Sequence, residues 1–341
     1  MDFSFTAEQE ELRRAVRDLA RDRSSSAQVR AAMDGPTGHD PALWKVLAEL
    51  GLPALGVPDD RGGTGGSFVD AAVVLEESGR SLLPAPLLPT LVAGFAADDL
   101  SLHEAVAAGA VAAVAVGDAT GPLRHVIDGA VAEWLVVADG AGLHVAELGG
   151  DAAVVEARPT LDPTRRQATV TLSGAGTRQI GDAAASARAV DLLRVALSVE
   201  AIGVARWCLE TTVDYLKTRV QFDRPIGSFQ ALQHRAADLV VRLESAAATA
   251  YYAAWAAADA PDELLVVAPL ALAVCAEAAY EIAAETIQLH GGIGFTWEHD
   301  AHLYFKRATA TRLLLGDSHE QRRLLAERAG LVTGKSAISS P

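Results

Sequence analysis

The sequence predicts a mainly α-helical protein with a small β-unit in its middle. Three observations predict it. Half of the 341 residues are hydrophobic, with abundant alanine and sparse aromatics, a composition suited to packed helices. Apolar residues recur at helical spacing over the first hundred positions and again from Asp182 almost to the end. Between these regions lie short β-branched runs separated by Gly, Asp and Pro.

The N-terminal unit opens with Thr6, an acidic stretch and then Leu12, Val16 and Leu19, which together predict a capped amphipathic helix. A second helix is predicted over 41–50. The segment LGVPDDRGGTGG follows; Pro58 and the four glycines after it predict a flexible turn. Helical spacing returns from Phe68 to Ser81 through Val69, Ala72, Val73 and Leu75. Pro84, Pro86 and Pro89 then punctuate the chain before another short helix.

Strands are expected at 111–116, 134–138, 143–146, 152–155 and 168–172. The region 174–181 marks a boundary. From Asp182 to Phe222 no proline interrupts the pattern, and an unbroken helix of that length would span roughly 60 Å. Segments 229–259, 262–290 and 299–329 supply three more long helices, which a four-helix bundle would bury. Pro269 should kink the third unless it lies in its first turns. The resulting domains are an N-terminal helical domain (1–105), a middle β-domain (106–181), a C-terminal four-helix bundle (182–330) and a disordered tail (331–341).

The formal charge of −15 argues against nucleic acid and anionic membranes, because the long-range field repels phosphate. The N-terminus carries charge from Asp2 and has no apolar signal core. The apolar run 105–116 is too short for a bilayer span, so the chain reads as cytoplasmic. Cys208 and Cys275 sit in apolar helix-like stretches and read as buried thiols. His290, His299 and His302 have no metal-ligand spacing, and no metal is expected. Neither GxxxxGK[ST] nor a GxGxxG between strand and helix is present.

Two segments in the helical half stand out. In TRVQFDRPIGSFQALQ, Arg219 and Arg224 flank a turn before a new helix near Ser228, a natural N-cap. A helix start with free N–H groups beside arginines suits a diphosphate; surface arginines at a helix hairpin would look the same. In AETIQLHGGIGF, Gln288 precedes Gly291, Gly292 and Gly294, which either end a helix or admit a ligand close to the backbone.

These two segments, in this order, resemble the C-terminal domain of the acyl-CoA dehydrogenase family. There an R-x-x-F-G-x-x-I-x-x-F-Q motif and a Q-x-x-G-G-x-G-F motif flank two bundle helices. Here they read Arg219, Phe222, Asp223, Ile226, Phe229, Gln230 and Gln288, Gly291, Gly292, Gly294, Phe295. The stretches LGVPDDRGGTGG and LEESGRSLLPAPLL are similar to that family's N-terminal domain. The resemblance implies a helical domain, a β-domain and a four-helix bundle, with FAD at a subunit interface. Arg219, Phe222 and Gln230 would reach its diphosphate and adenine side, and Gln288 to Gly292 the same moiety. The implied chemistry is oxidation of an acyl-CoA to the 2-enoyl-CoA. A glutamate takes the α-proton as hydride leaves the β-carbon for the flavin. Electrons usually pass on to an electron-transfer flavoprotein.

The sequence also departs from the family. Counting without gaps from Gly292 places Leu315 at the usual glutamate position, just before Gly316. Other members carry the base on the first bundle helix, immediately before an arginine; aligned from Gly203 and Arg219, that arginine is Arg194 and the residue before it is Leu193. Leucine accepts no proton. Glu200, two turns after Leu193, is either a relocated base or a carboxylate paired within the bundle. Asp317, His319 and Glu320 would start the last helix. The family's Thr-Glu-Pro strand motif has no counterpart in VAAVAVGDATGPL, so the β-domain reads as shortened. VIDGAVAEWLVVAD looks like the later flavin-side strand. Asp223 replaces a glycine and adds a negative charge near the expected diphosphate.

The expectation is therefore the non-base subunit of a heteromeric acyl-CoA dehydrogenase, whose partner subunit supplies the glutamate. A self-sufficient homomeric enzyme using Glu200 and a flavin-free scaffold binding a CoA thioester are the alternatives.

Overall fold

The computed structural model describes residues 5–174 and 176–332. Most of the predicted 331–341 tail lies outside the described residues. Six helices form the N-terminal part: α1 (Ala7–Arg23), α2 (Ser26–Asp34), α3 (Pro41–Glu49), α4 (Phe68–Ser81), α5 (Leu87–Ala96) and α6 (Leu100–Ala107). Thr6 caps α1 in a reciprocal capping box with Gln9. Helix α2 was not expected, although Ser25 and Gln28 form the same box at its start. The glycine-rich segment after α3 is irregular apart from two 3-10 turns, Leu52–Ala54 and Asp59–Arg61.

The middle part is a two-layer sandwich. Strands β1 (Ala112–Val116), β3 (Trp134–Ala138), β4 (Leu143–Glu147) and β7 (Arg178–Gly181) form one sheet in the order β1-β3-β4-β7. Only the β1–β3 pair is parallel. Strands β2 (Pro122–Ile127), β5 (Ala153–Arg158) and β6 (Gln167–Leu172) form an antiparallel sheet in the order β2-β6-β5. Alternation divides the first sheet's side chains. Ala113, Ala115, Leu135 and Val137 pack between the sheets, while Ala112, Val114, Val136 and Val145 join the main helical core.

Helix α7 (Ala183–Thr218) has 36 residues, about 54 Å at 1.5 Å each. It stops short of the expected Phe222; a small hairpin, β8 (Val220–Gln221) and β9 (Arg224–Pro225), follows. Helices α8 (Gln230–Asp259) and α9 (Pro261–His290) complete three long members of the bundle. Residues 261–295 are apolar and long enough to span a bilayer by composition, yet the most apolar window is largely buried inside the protein. Pro269 lies inside α9 without ending it. A proline there cannot bond the carbonyl of Leu265 four residues earlier. That oxygen instead accepts from Arg328 Nη1 at 2.9 Å, so a cation from the last helix satisfies what the proline left open.

The fourth member is two helices rather than the expected single segment: α10 (Ala301–Thr311) and α11 (Ser318–Arg328). They are separated where Gly316 takes φ +93°, a left-handed conformation that glycine adopts without strain. Asp317 then caps α11 in a box with Glu320, as those acidic residues implied.

The N-terminal helices dock on the bundle through a close α4–α7 crossing. A Cβ on Gly203 would lie 1.9 Å from the Glu76 carbonyl, and one on Gly79 would lie 2.1 Å from the Glu200 carbonyl. Buried Glu76 accepts from Arg206 at 2.8 Å and from Tyr251, and buried Glu77 takes two bonds from Arg17 at 2.6 and 3.0 Å. Carboxylates thus pin α4 to α1, α7 and α8, each with a cationic partner that offsets its burial.

Candidate functional site

The two glycine- and arginine-bearing motifs meet at one end of the bundle. Arg219 is the C-cap of α7, and Phe222 and Asp223 form the two-residue turn of the β8–β9 hairpin. Both are left-handed, with φ +53° and +60°. Such a turn favours glycine or asparagine, which explains why the resembling motif carries glycine at position 223. Ser228 does not cap α8. Its hydroxyl donates to the Pro225 carbonyl at 2.7 Å, Phe229 is the N-cap, and no side chain closes the helix start. Leu232 and Gln233 N–H donate to the Phe229 carbonyl, no side chain caps the N–H groups of Gln230 and Ala231, and the Arg224 guanidinium lies 4.0 Å above the Phe229 ring.

Helix α9 ends at His290, followed by Gly291 at φ +63°. Gly291 and Gly292 are exposed, and a Cβ on either would meet nothing within 4 Å. Gln288 is exposed one turn earlier, as is Gln230 at the start of α8. Tyr215 stacks on His290 at 4.5 Å and Arg235 pairs with Glu285 at 3.3 Å, which brings the α7, α8 and α9 ends together. Around them Phe222 is 85% exposed, Phe295 81% and Trp297 67%. These three large apolar side chains are exposed in the segments that follow α7 and α9.

The second feature is a cavity of about 420 Å³ between strands β1 and β2, helix α7 and the α10–α11 junction. Leu193 and Leu315, from opposite ends of the C-terminal region, both line it. So do Leu197, Leu314, Ile127 and three polar residues, Arg124, His125 and Arg194. No carboxylate does. Arg194 donates to Asp191 at 2.7 Å and to Gln321 at 3.0 Å, and Gln321 in turn donates to the Leu315 carbonyl. The backbone at Leu315 is therefore held from α7 through a side-chain relay.

Glu200 lies elsewhere. It is buried, takes a 3.0 Å bond from Arg307 and pairs with Arg165. Arg307 also donates to Asp162 at 2.5 Å and to the Thr164 hydroxyl and carbonyl at 2.8 and 3.0 Å. Glu200, Arg165 and Arg307 face a water-sized space of about 20 Å³ with Asp128, not the leucine-lined cavity. Burial raises the Asp128 carboxyl to about 6, against the pull of the nearby arginines. Burial, together with Arg307, lowers Arg165 to about 9. This group joins the β-domain to α7 and α10. The sequence reading singled out only Glu200 from it; the one local signal for the rest is DPTRR, an Asp-Pro turn carrying two arginines before a strand. The thiols of Cys208 and Cys275 are buried and free, and burial pushes Cys208 up to about 12.

The family model described as "Acyl-CoA dehydrogenase, N-terminal domain" matches residues 6–103, and that described as "Acyl-CoA dehydrogenase, C-terminal domain" matches residues 181–330. The chain is 43% identical to the acyl-CoA dehydrogenase IpdE2 of Mycolicibacterium smegmatis, over 94% of this chain and 98% of that protein. This chain belongs to the acyl-CoA dehydrogenase family. Its members are flavoprotein oxidoreductases of lipid metabolism. IpdE2 of Mycobacterium tuberculosis is 41% identical over 93% of this chain and 96% of its own length. Among solved structures, the ChsE4-ChsE5 complex of Mycobacterium tuberculosis superposes with a TM-score of 0.89 at 25% identity, covering 98% of this chain and all of that one. A variant of the steroid ACAD Tcur3481-Tcur3483 gives 0.87 at 28% identity, covering 95% and 98%. The helical domain, β-domain and helical bundle of this chain are those of an acyl-CoA dehydrogenase.

Proposed function

We propose that this chain is the subunit without the base in a heteromeric, FAD-dependent acyl-CoA dehydrogenase that oxidises an acyl-CoA to the 2-enoyl-CoA. A partner subunit of the same family would carry the glutamate. The observation that carries this reading is the single cavity faced by both Leu193 and Leu315 and by no carboxylate. General-base chemistry needs a proton acceptor within hydrogen-bond reach of the α-carbon's proton, and these walls offer no carboxylate for that role, only the imidazole of His125, whose Nδ1 is engaged by Gln167. Two solved relatives bear two-component names, ChsE4-ChsE5 and Tcur3481-Tcur3483, and support a second subunit.

The residues at the bundle end fit the diphosphate arm of FAD. Arg219 and the open N–H groups of α8 would neutralise and bond an anion there. Gly291 and Gly292 leave room for close approach of a ligand to the backbone, and Gln288 and Gln230 add amide groups. Phe222 would lie against the same moiety. When bound, the flavin supplies the hydride acceptor for the substrate's β-carbon. The exposed Phe295 and Trp297 supply apolar area for the partner's surface. Asp223 opposes a diphosphate by charge, and Arg224, stacked on Phe229, offsets it.

Glu200 as a relocated base has less support. Its carboxylate is spent on two guanidinium groups and faces a space that holds little more than one water. The test is expression alone and together with a dehydrogenase-like partner, followed by acyl-CoA oxidation and flavin content per subunit. Activity and flavin only in the mixed assembly are expected. Turnover by the single chain at ordinary rates refutes the reading, and a colourless active-site-free assembly would favour a scaffold role. Delivery of electrons to an electron-transfer flavoprotein follows from the family chemistry and is tested by the same assembly with that acceptor.

A further inference from the structure

We propose that His290 and His299 form an acid-sensitive latch at the bundle end: neutral, they hold the 288–292 segment against α7 and α10, and protonation releases it. The consequence for the cofactor rests on the reading above that this end serves FAD. His290 ends α9 and is 3% exposed. Its ring contacts two others, with centroids 4.5 Å from Tyr215 of α7 and 4.4 Å from His299 in the segment before α10. The Tyr215 carbonyl also accepts from the Arg219 N–H at 2.8 Å. One cluster of three rings therefore joins the residue before Gly291 and Gly292 to the turn that carries Arg219 and to the start of α10.

Hydrogen bonds fix which nitrogen carries the proton. His290 Nδ1 lies 2.7 Å from the Thr286 carbonyl, which can only accept, so Nδ1 is the donor and Nε2 holds a lone pair. That Nε2 is buried and has no protein partner. His299 has the opposite assignment: its Nδ1 accepts from the Ala301 N–H at 3.1 Å, so its proton is on Nε2. Asp300, the N-cap of α10, makes no side-chain cap bond, and the His299 acceptor takes that role. Both roles need the neutral ring. A proton on His290 Nε2 is a buried charge without an acceptor. A proton on His299 Nδ1 turns the cap's acceptor into a donor facing a donor.

The surroundings do not supply a compensating acid. The charged and titratable groups around the pair are Tyr215 on α7, Asp300, His302 and Lys306 at the start of α10, Arg30 on α2 and exposed Glu298. Asp300 favours a charged His299, but Arg30 holds that carboxylate at 2.6 Å. Burial, and for His299 the neighbouring His290, keep both imidazoles below the ordinary histidine range. A base depressed on folding contributes stability that is fully present above the unfolded value of about 6.5 and is lost as pH falls below it. An imidazole that stays neutral while closed and titrates normally while open shifts the opening equilibrium about tenfold at pH 5.5.

The test is hydrogen–deuterium exchange of the purified full chain, and of the mixed assembly, at pH 7.5 and 5.5, corrected for the intrinsic pH dependence of exchange. Amides of 286–304 should lose about tenfold or more of their protection at pH 5.5, while those of α4 (Phe68–Ser81) change by less than about threefold. His290→Phe keeps a ring against Tyr215 that cannot be charged, and His299→Asn keeps an acceptor for the Ala301 N–H at every pH. Each should reduce the acid loss at 286–304, and the two act separately, so misfolding of one leaves the other decisive. No loss in the parent chain, an equal loss in α4, or an undiminished loss in the folded variants overturns the inference. In the mixed assembly FAD should be retained several-fold less well at pH 5.5 than at pH 7.5, and His299→Asn should restore it. Local loosening in acid with FAD retention unchanged supports the latch and refutes instead the placement of FAD at this end.

Discussion

Glu200→Gln separates a structural carboxylate from a relocated base. The variant keeps the side-chain shape but removes the charge that faces Arg165 and Arg307. Breaking a buried ion pair from one side typically costs about 3–5 kcal/mol, because the remaining charge stays desolvated. Asp162 still bonds Arg307 at 2.5 Å, and Asp128 lies close enough to both arginines to be pulled by them, so the low end, about 3 kcal/mol, is expected. With an unfolding entropy near 2.1 cal/mol/K per residue, that corresponds to about 4 °C for 341 residues unfolding together. Thermal unfolding of the variant assembly should show this drop, while its acyl-CoA oxidation at 25 °C stays within about twofold of the parent. The reasoning is refuted if turnover falls by a hundredfold or more while the melting temperature holds.

Gly203→Ala should destabilise the chain by about 3 kcal/mol in urea unfolding, since the new Cβ would press on the Glu76 carbonyl 1.9 Å away and force α4 off α7. Asp223→Gly should stabilise the hairpin by about 1 kcal/mol, by relieving φ +60°. It should also tighten FAD in the mixed assembly several-fold; weaker flavin retention on gel filtration would count against the placement of the diphosphate. Asp128→Asn should act through pH. The folded carboxyl titrates near 6, above the usual range, so its contribution to stability is fully present below about pH 4 and is lost as pH rises through 6. The variant's melting temperature relative to the parent should therefore be higher at pH 7.5 than at pH 4.5, and an equal difference at both would refute the assignment.

Much of the helical architecture was legible because it rests on local signals: the Thr6 box, the Phe68–Ser81 periodicity and the Asp317 cap. What was missed depends on context. Helix α2 opens in a run of serines that composition alone reads as a loop. Strand β2, PLRHVI, breaks alternation at its bulge, so no period-2 pattern announces it. Strand β7 is four residues on a sheet edge. The split of the last bundle member hides in LLLG, where apolar residues continue across the break and only Gly316 marks it. Ser228 looked like a cap, but its hydroxyl is taken by Pro225. The buried group of Asp128, Asp162, Arg165, Glu200 and Arg307 could not be read in advance, because it forms only when two loops of the β-domain, α7 and α10 converge.

Fold stability and proton abstraction place opposite demands on the two leucine positions. A glutamate at Leu193 or Leu315 would sit in a wall built from Leu197, Leu314 and Ile127, and would lose solvation there. Leucine instead contributes burial, about 1.5–3 kcal/mol for a side chain as enclosed as Leu193 at 5% exposure. The elements that dock the domains, Gly79 and Gly203 at the α4–α7 crossing and the paired Glu76 and Glu77, do not line this cavity. A chain of this fold can therefore give up its proton acceptor at no cost to assembly and with a gain in stability. The bundle-end groups that would serve a shared flavin are unaffected by the exchange. Such a chain suits a division of labour in which one subunit abstracts the proton and the other completes the cofactor's binding surface.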